Sequence, residues 1–189
     1  NDGMDAQFVE EATPDALLDV RTRQLTKTGV TTVFYCSRSS GLGVFTHDTK
    51  VGEVYDSRVG RYKNNITRRL IQQGTDPVRV VTDFCRSNDL EIFWTMRVND
   101  CHDAIHREDK PYPAFSKLKE AHPEWLMGTY SKRPRHGNWS AYDFAVPEVR
   151  ELAVDCVTEV CQNYDVDGIH LDFFRHLNYF REVAAGGKA

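Results

Sequence analysis

The stretch that most constrains the fold runs from Tyr164 to His176, with the sequence Y-D-V-D-G-I-H-L-D-F-F-R-H. The turn residues 165–167 precede a run in which apolar and polar side chains alternate, and such alternation sends the two sets to opposite faces of a β-sheet. The clearest helical pattern in the chain begins at Pro147 and leads directly into this strand. A helix that feeds a strand in this way is typical of α/β folds, whose ligands bind at the carboxyl ends of the strands.

Runs rich in β-branched and aromatic residues predict three strands in all: Val30–Cys36, Leu90–Val98 and Gly168–Phe173. Helical patterns cover residues 13–29, 65–73 and 76–88, in addition to the one that begins at Pro147. Because helices separate the strands, we expect the strands to be neighbours in a parallel sheet.

The connections on the two sides of this predicted sheet differ in length. A few residues connect each helix to the next strand, whereas the loops that leave the first two strands cover residues 37–62 and 99–146. In (β/α) barrels the loops at the carboxyl ends of the strands build the site, so we expect the site there. The first loop is either an ordinary surface loop or a substrate-cleft wall that carries His47, Asp48 and Lys50.

Composition limits the partners that the chain can have. Its 189 residues fit one domain, and a formal net charge of −4 argues against a nucleic-acid surface. The sequence has no apolar run of about 18 residues, so no membrane span is expected. The five cysteines form no C-x-x-C pair, which argues against a zinc knuckle, and we predict that they are buried structural thiols.

Polar residues at the ends of the last two predicted strands are the candidate site residues. Asp172 is a carboxylate on an inner strand, which is costly to bury unless it is paired or used. We predict that it is a glycosidase nucleophile, or the charge that stabilises an oxocarbenium ion, with Asp100 as the second carboxyl that such an enzyme needs. The predicted substrate-binding residues are Arg97, Asn99, His102, His170, Arg175 and His176. The side chains that we expect to converge on one concave patch are Arg97, Asn99, Asp100, His170, Asp172 and Arg175.

Other interpretations of the same residues stay open at this point. Asp172 can instead form a salt bridge with Arg175 or with a residue of a neighbouring strand, and the second carboxyl can lie on a strand after residue 189. The motif D-x-H-D-x-x-H contains zinc- or manganese-type ligands, namely Asp100, His102, Asp103 and His106. It lacks the helical i, i+4 pairing of known zinc motifs, so we predict no metal. The aromatic residues of the second long loop are either packing anchors or surfaces that stack on sugars: Trp125, Tyr130, Trp139 and Tyr142.

Three segments resemble a known family: A-H-P-E-W-L at residues 121–126, P-E-V-R at 147–150, and Y-D-V-D-G-I-H-L-D-F-F-R at 164–175. They resemble the pattern hPeW…hPeVre…yDvDGihlDyiR of the bacterial glycosyl-hydrolase-like TIM-barrel family, over roughly residues 70–177. The resemblance implies an α/β fold of the (β/α)₈ barrel type that acts on, or binds, carbohydrate without a cofactor. That family is mostly bacterial and exported, which implies an extracellular or periplasmic location.

More remotely, D-G-I-H-L-D-F-F-R-H is similar to the fourth-strand motif of the α-amylase superfamily, in which the aspartate is the nucleophile. That aspartate corresponds to Asp172, and the basic residue and histidine after it correspond to Arg175 and His176. His170 departs from the motif, because amylases carry an arginine there. The match makes the three predicted strands the second to fourth of a barrel. Since three strands cannot close a barrel, we expect residues 1–189 to be one barrel domain whose first and later strands lie outside this sequence.

The leading hypothesis is therefore a glycoside hydrolase-like protein that acts on a poly- or oligosaccharide through acid/base carboxylates at the strand ends. A non-catalytic carbohydrate-binding barrel is the main alternative. A metal-dependent hydrolase or deacetylase is the third.

Overall fold

In the computed structural model, which describes residues 3–37 and 41–187, helices and strands alternate along the chain. The elements in order are α1 Pro14–Asp19, β1 Thr32–Cys36, β2 Val44–Phe45, β3 Glu53–Val54, α2 Thr67–Gln72, α3 Pro77–Arg86, β4 Glu91–Arg97, α4 Lys117–Ala121, α5 Pro147–Asn163, β5 Gly168–Asp172 and α6 Arg181–Ala184. Short 3₁₀ turns lie at Gly3–Gln7, Arg23–Lys27, Gly60–Tyr62, His102–Ile105 and Pro123–Trp125.

The main sheet has the strand order β1-β4-β5, and both pairs are parallel. Phe34 is the register partner of Phe93, and Arg97 is the register partner of Asp172. The prediction of three neighbouring parallel strands is therefore confirmed. The carboxyl ends of all three strands meet at one edge of the sheet.

The helix ends follow from local capping. Thr13 caps α1 by accepting a hydrogen bond from the Ala16 amide, and Asp76 caps α3 in the same way through the amides of Val78 and Arg79. The first helix is shorter than the predicted range 13–29, because it ends at Asp19 and a separate 3₁₀ turn follows.

The two faces of the main sheet have different surroundings. Side chains such as Val33, Ile92 and Trp94 point to the face on which α1, α3 and α5 pack, and they belong to one hydrophobic cluster. Helices on a single face are what successive right-handed β-α-β connections in one direction produce. On the opposite face, Phe34 stacks on Phe93 with ring centroids 5.1 Å apart, and 46% of Phe34 is exposed.

The two long loops contain more structure than the sequence pattern indicates. β2 and β3 form a parallel two-stranded sheet within the first loop, and α4 and two 3₁₀ turns lie in the second. Residues 38–40 of the first loop lie outside the described residues.

Other expectations from composition have mixed outcomes. Four cysteines are buried as predicted, namely Cys36, Cys85, Cys101 and Cys156, whereas Cys161 is exposed on the outer side of α5, which corrects that prediction. None of the helices within the described ranges has both the length and the apolar character that crossing a membrane requires.

Candidate active site

The carboxyl edge of the main sheet holds the predicted site residues. Arg97 ends β4, Asp172 ends β5, and the two lie side by side in register. The backbone amide of Val98 donates to the carbonyl of Asp172 at 3.1 Å, so the loop that starts at Asn99 leaves the sheet beside Asp172. Asp172 and Asn99 therefore lie at the same end of the sheet, as the site hypothesis requires.

Asp172 is half-buried and its carboxylate is oriented by the chain itself. Its Oδ1 accepts a hydrogen bond from the backbone amide of Phe174 at 2.9 Å. No ion pair joins it to Arg175 in the described structure, because the Arg175 guanidinium contacts His102 instead. The interpretation of Asp172 as a salt-bridge partner of Arg175 is therefore wrong, and its carboxylate faces the side of the sheet that the helices leave uncovered.

Five residues at this edge form what we call the open cluster: Arg97, Asp100, His102, Arg175 and His176. Asp100 is fully buried, and its Oδ1 lies 2.5 Å from Nδ1 of His102 and 3.0 Å from the backbone amide of His102. Its Oδ2 lies 3.5 Å from a guanidinium nitrogen of Arg97 and has no hydrogen-bond partner. Nη2 of Arg175 donates to Nε2 of His102 at 3.2 Å. A chain of contacts thus runs from a buried carboxylate through an exposed imidazole to an exposed guanidinium.

His176 completes the open cluster from the other side of His102. The two imidazole rings meet edge to face with centroids 5.4 Å apart, and the backbone amide of Cys101 lies 3.4 Å from Nδ1 of His176. Partial burial lowers the pKa of His176, and the neighbouring positive charges act in the same direction against the opposing effect of Asp100. His176 is therefore held mostly as the neutral ring at neutral pH.

Asp100, His102 and His176 also offer three metal-type ligand atoms within 4.8 Å of one another. Arginines contact this group at two points, however, since Arg97 approaches Asp100 and Arg175 occupies Nε2 of His102. A cation at this place would be repelled by both guanidinium groups. We therefore interpret the group as a hydrogen-bond network that carries positive charge.

The metal set suggested by D-x-H-D-x-x-H does not come together. Asp103 turns away from Asp100 into what we call the sealed cluster, made of Asp103, Lys119 and Ser140. His106 stacks on Phe115 with ring centroids 3.8 Å apart, and its Nδ1 accepts from the backbone amide of Tyr112.

All three members of the sealed cluster are buried. Oδ2 of Asp103 lies 2.6 Å from Nζ of Lys119, and Oδ1 accepts from the hydroxyl of Ser140 at 2.5 Å. Burial raises the pKa of Asp103, while Lys119 and Ser140 oppose that effect. A Cβ on Gly41 would lie 2.6 Å from Nζ of Lys119, so only glycine fits above this lysine. The sealed cluster thus joins three segments of the chain, and its side chains are buried although Lys119 lies at the wall of a cavity of about 890 Å³.

Asn99 was predicted to bind substrate, and the structure corrects this prediction. Its side chain is buried, and its Nδ2 donates to the carbonyls of Tyr142 and Asn178 while its Oδ1 accepts from the amide of Tyr142. With its amide committed to two backbone segments, Asn99 positions the loops and does not contact a ligand. Asp100 is fully buried as well, and its predicted role as the second catalytic carboxyl stays a prediction.

His170 lies two residues before Asp172 on the same uncovered face. Its Nδ1 lies 3.3 Å from the hydroxyl of Thr95, and its ring meets Phe34 edge to face at 5.3 Å. His170 and Asp172 point to the same face because they are two residues apart on β5. The imidazole of His170 is exposed and can be reached by a ligand.

The first long loop is not a wall of this site. His47 is fully buried, its Nδ1 lies 2.9 Å from the hydroxyl of Ser37, and burial lowers its pKa to about 4. Glu159 of α5 accepts from the hydroxyl of Thr49 and the amide of Lys50. The loop is therefore fixed to the helix-covered side of the sheet, which corrects the cleft interpretation of His47, Asp48 and Lys50.

The aromatic residues of the second loop divide between packing and exposure. Tyr142 is buried, Trp139 is buried and donates its indole N–H to the carbonyl of Ala104, and Trp125 stacks on His122. Tyr130 is 40% exposed and lines two cavities, of about 890 Å³ and 700 Å³, the smaller of which is also lined by His102 and His176 of the open cluster. Sequence reasoning missed these cavities, although the basic run S-K-R-P-R-H after Tyr130 was a signal for one of them.

A family model described as "Glycosyl hydrolase-like 10" matches residues 44–184 of the chain. The matched range includes β4, α5, β5 and the whole of the open cluster. "Glycosyl hydrolase YngK" of Bacillus subtilis (strain 168) is 26% identical over 102 residues, which covers 52% of this chain and 18% of that protein. The chain therefore spans less than a fifth of the length of this relative.

Two solved structures share the fold. "Alpha-L-fucosidase isoenzyme 2 from Paenibacillus thiaminolyticus" is similar with a TM-score of 0.50 and 17% identity, over 79% of this chain and 18% of that chain. The "galactosidase domain of alpha-galactosidase-sucrose kinase, AgaSK" is similar with a TM-score of 0.53 and 15% identity, over 97% of this chain and 22% of that chain. Both are TIM-barrel glycosidases, so the three parallel strands and their helices match part of such a barrel.

Proposed function

The chain belongs to the glycosyl hydrolase-like 10 family, and on this premise we propose that it hydrolyses glycosidic bonds in a poly- or oligosaccharide. The observation that carries the proposal is the position of Asp172. It is an oriented carboxylate at the carboxyl end of β5, on the side of the sheet that the helices leave free. In barrel enzymes this is the place from which catalytic residues act.

In this proposal Asp172 is the nucleophile, or the charge that stabilises the oxocarbenium-like transition state. The amide of Phe174 holds one carboxylate oxygen, which fixes the direction of the group. Arg97 and His170 lie on the same face of the sheet and bind the sugar around the reacting carbon. His102 and Arg175 bind it from the loop side, and Asp100 positions them.

Glycoside hydrolysis needs a second carboxyl group, either as the acid or as the base. Asp100 is too deeply buried to supply it by contact. We assign this carboxyl to a strand outside the present sequence, in a barrel that continues beyond β1 and β5. Support comes from the apolar side chains that β5 and the segment after it leave exposed, which include Leu171, Phe173 and Phe174. A neighbouring strand and its loops would cover them.

The test compares the full-length protein with its Asp172→Asn variant on a panel of oligosaccharides, with released reducing ends as the readout. The substitution keeps the shape of the side chain and removes its charge, so we expect nearly complete loss of hydrolysis. The free energy of unfolding should change by less than about 1 kcal/mol, because no ion pair is broken. Asp155→Asn, on the exposed side of α5, is the matched control and should keep the parent rate. Parent-level hydrolysis by the Asp172→Asn variant would remove Asp172 from the mechanism.

A carbohydrate-binding barrel without hydrolysis is the second candidate, and the burial of Asp100 favours it. That function predicts saccharide binding by the full-length protein with no release of reducing ends. Isothermal titration with the same panel, on both the parent and the Asp172→Asn variant, distinguishes the two functions.

A further inference from the structure

The smaller of the two cavities that Tyr130 lines has an unusual charge. Its volume is about 700 Å³, and its basic lining side chains are His102, Arg107, Lys110, Arg133 and His176. No aspartate or glutamate is among the described residues that line it. The chain as a whole carries a formal charge of −4, so the charge of this cavity is opposite in sign to the net charge of the chain.

The neighbouring cavity of about 890 Å³ provides an internal comparison. It shares Arg107 and Tyr130 with the basic cavity, but Glu108, Asp109 and Glu120 also line it. Asp109 lies 3.0 Å from the guanidinium of Arg107 and neutralises it in part. The charge of the basic cavity therefore comes mainly from Lys110 and Arg133, both of which are exposed.

Tyr130 fixes the position of the two arginines. The guanidinium carbon of Arg107 lies 5.7 Å from the Tyr130 ring centroid and that of Arg133 lies 4.6 Å from it. Cation–π contact restricts both long side chains, which reduces the conformational entropy that each would lose on binding a ligand. The ring itself is exposed and can stack on a sugar. The cavity thus combines an aromatic platform with oriented guanidinium groups, which bind carboxylates and sulfates through paired hydrogen bonds.

The basic cavity is continuous with the proposed catalytic edge. His102 and His176 belong both to its lining and to the open cluster, and Arg175 lies against His102. A saccharide bound across the edge would therefore place a ring next to Lys110 and Arg133. A neutral sugar would offer these two cations no opposite charge, whereas an acidic sugar would.

We propose that this basic cavity binds an anionic sugar unit, so that the substrate is a saccharide whose rings carry carboxylate or sulfate groups. The inference rests on the proposed function for the location of the substrate, but it concerns a separate group of residues. It narrows the substrate class from saccharides in general to acidic ones.

The first test measures affinity with probes that differ only in charge. Short oligosaccharides of glucuronate, galacturonate and mannuronate are each compared with their methyl esters, which keep the ring and lose the charge. Sulfated galactose oligosaccharides are compared with their desulfated forms, which separates a sulfate ligand from a carboxylate ligand. With the full-length protein at low salt, we expect at least one acidic probe to bind about tenfold more tightly than its neutral partner. The preference should shrink as salt rises.

The second test assigns the preference to the cavity. Lys110→Gln and Arg133→Gln should each lower the affinity for the preferred acid about three- to tenfold and leave the affinity for its neutral partner unchanged. Lys132→Gln removes the same charge from a neighbouring exposed residue that does not line the cavity, and it should have no effect on the preference.

The outcomes separate this inference from the proposed function. If no acidic probe binds more tightly than its neutral partner, or if Lys132→Gln lowers the preference as much as Arg133→Gln does, the inference is wrong. Hydrolysis of neutral oligosaccharides with an undiminished dependence on Asp172 would in that case leave the proposed function standing. Charge-dependent binding that Arg133→Gln abolishes, without any hydrolysis, would support the inference and contradict the catalytic proposal.

Discussion

Asp100 and Asp103 lie three residues apart in one loop, and both side chains are fully buried, yet their surroundings differ in kind. Asp103 is enclosed by Lys119 and Ser140, which are themselves buried and use both of its oxygens. Asp100 contacts Nδ1 of His102, which is half exposed. The other ring nitrogen of His102 accepts a hydrogen bond from Arg175 at the surface. One oxygen of Asp100 also has no hydrogen-bond partner.

The difference shows how a buried carboxylate at a sheet edge can be sorted into structural or functional roles. A carboxylate whose partners are buried and occupy both of its oxygens, as those of Asp103 do, stabilises the fold by joining the segments that carry them. A carboxylate whose partner is exposed holds that partner in place for a ligand, as the aspartate of a Ser-His-Asp triad holds its histidine. By this criterion the sealed cluster holds loops together, and the open cluster is the one that we assign to the proposed site.

The largest expected effect comes from breaking the sealed cluster. Lys119→Met removes the only cation that contacts Asp103 in the described structure. The carboxylate of Asp103 then stays buried with no opposite charge beside it. We expect a loss of about 3–5 kcal/mol in the free energy of unfolding, measured by urea titration. Lys117→Met, at an exposed position of the same helix, is the control and should change stability by less than about 0.5 kcal/mol. A Lys119→Met variant as stable as the control would show that the sealed cluster contributes nothing net.

A pH dependence of intermediate size is expected from His47, the buried counterpart of the exposed His102. Burial lowers the pKa of His47 from 6.5 to about 4, so the unfolded chain takes up a proton in this range before the folded protein does. The stability that the neutral His47 ring gives the folded protein is fully present above about pH 6.5. As pH falls towards 4, the free energy of unfolding decreases by on the order of 3 kcal/mol. Urea titrations at several pH values should show a smaller loss over this range in His47→Phe, whose ring fits beside Phe45. Equal losses in the two proteins would mean that His47 does not titrate as proposed.

The smallest effect on stability, and the clearest one on function, is expected from Asp100→Asn. The variant keeps the volume and loses the charge that holds His102, at a cost of about 1–2 kcal/mol. Turnover on a hydrolysed oligosaccharide should fall roughly 100-fold, because displacing groups that orient the substrate by about 1 Å can cost that much. The ring resonances of His102 should change, since its Nδ1 proton loses a carboxylate acceptor. A variant with parent turnover would place Asp100 with Asp103 among the structural carboxylates.

The sequence predicted the parts of this structure that depend on local periodicity. The alternation in β5 and the helical spacing of α5 are properties of adjacent residues, so the strand, the helix and their parallel arrangement followed from the pattern. The edge that carries the site followed as well, because all parallel strands end there. Helix lengths did not follow in the same way, since the first helix ends at Asp19 and not at Gly29.

The roles of individual polar residues could not be predicted from such patterns. Asn99 stands at a strand end like the site residues around it, and only the positions of Tyr142 and Asn178 show that its amide is used by the backbone. Lys119 lies in a short polar helix, and nothing in its neighbourhood along the chain indicates that it is buried against Asp103. Both cases depend on contacts between residues distant in sequence, which a local pattern does not contain.

The hydrogen bonds of Asn99 have a consequence for engineering. One amide group ties the end of β4 to the loop before α5 at Tyr142 and to the segment after β5 at Asn178. Replacing either of these segments with that of a homologue would break a hydrogen bond of Asn99, unless the new segment placed its acceptor carbonyl at the same position. For the proposed function, specificity is therefore exchanged most readily at the loop tips that this amide does not touch, residues 107–110 and 129–135, whereas the amide of His136 donates to the carbonyl of Ala184 and belongs to the frame.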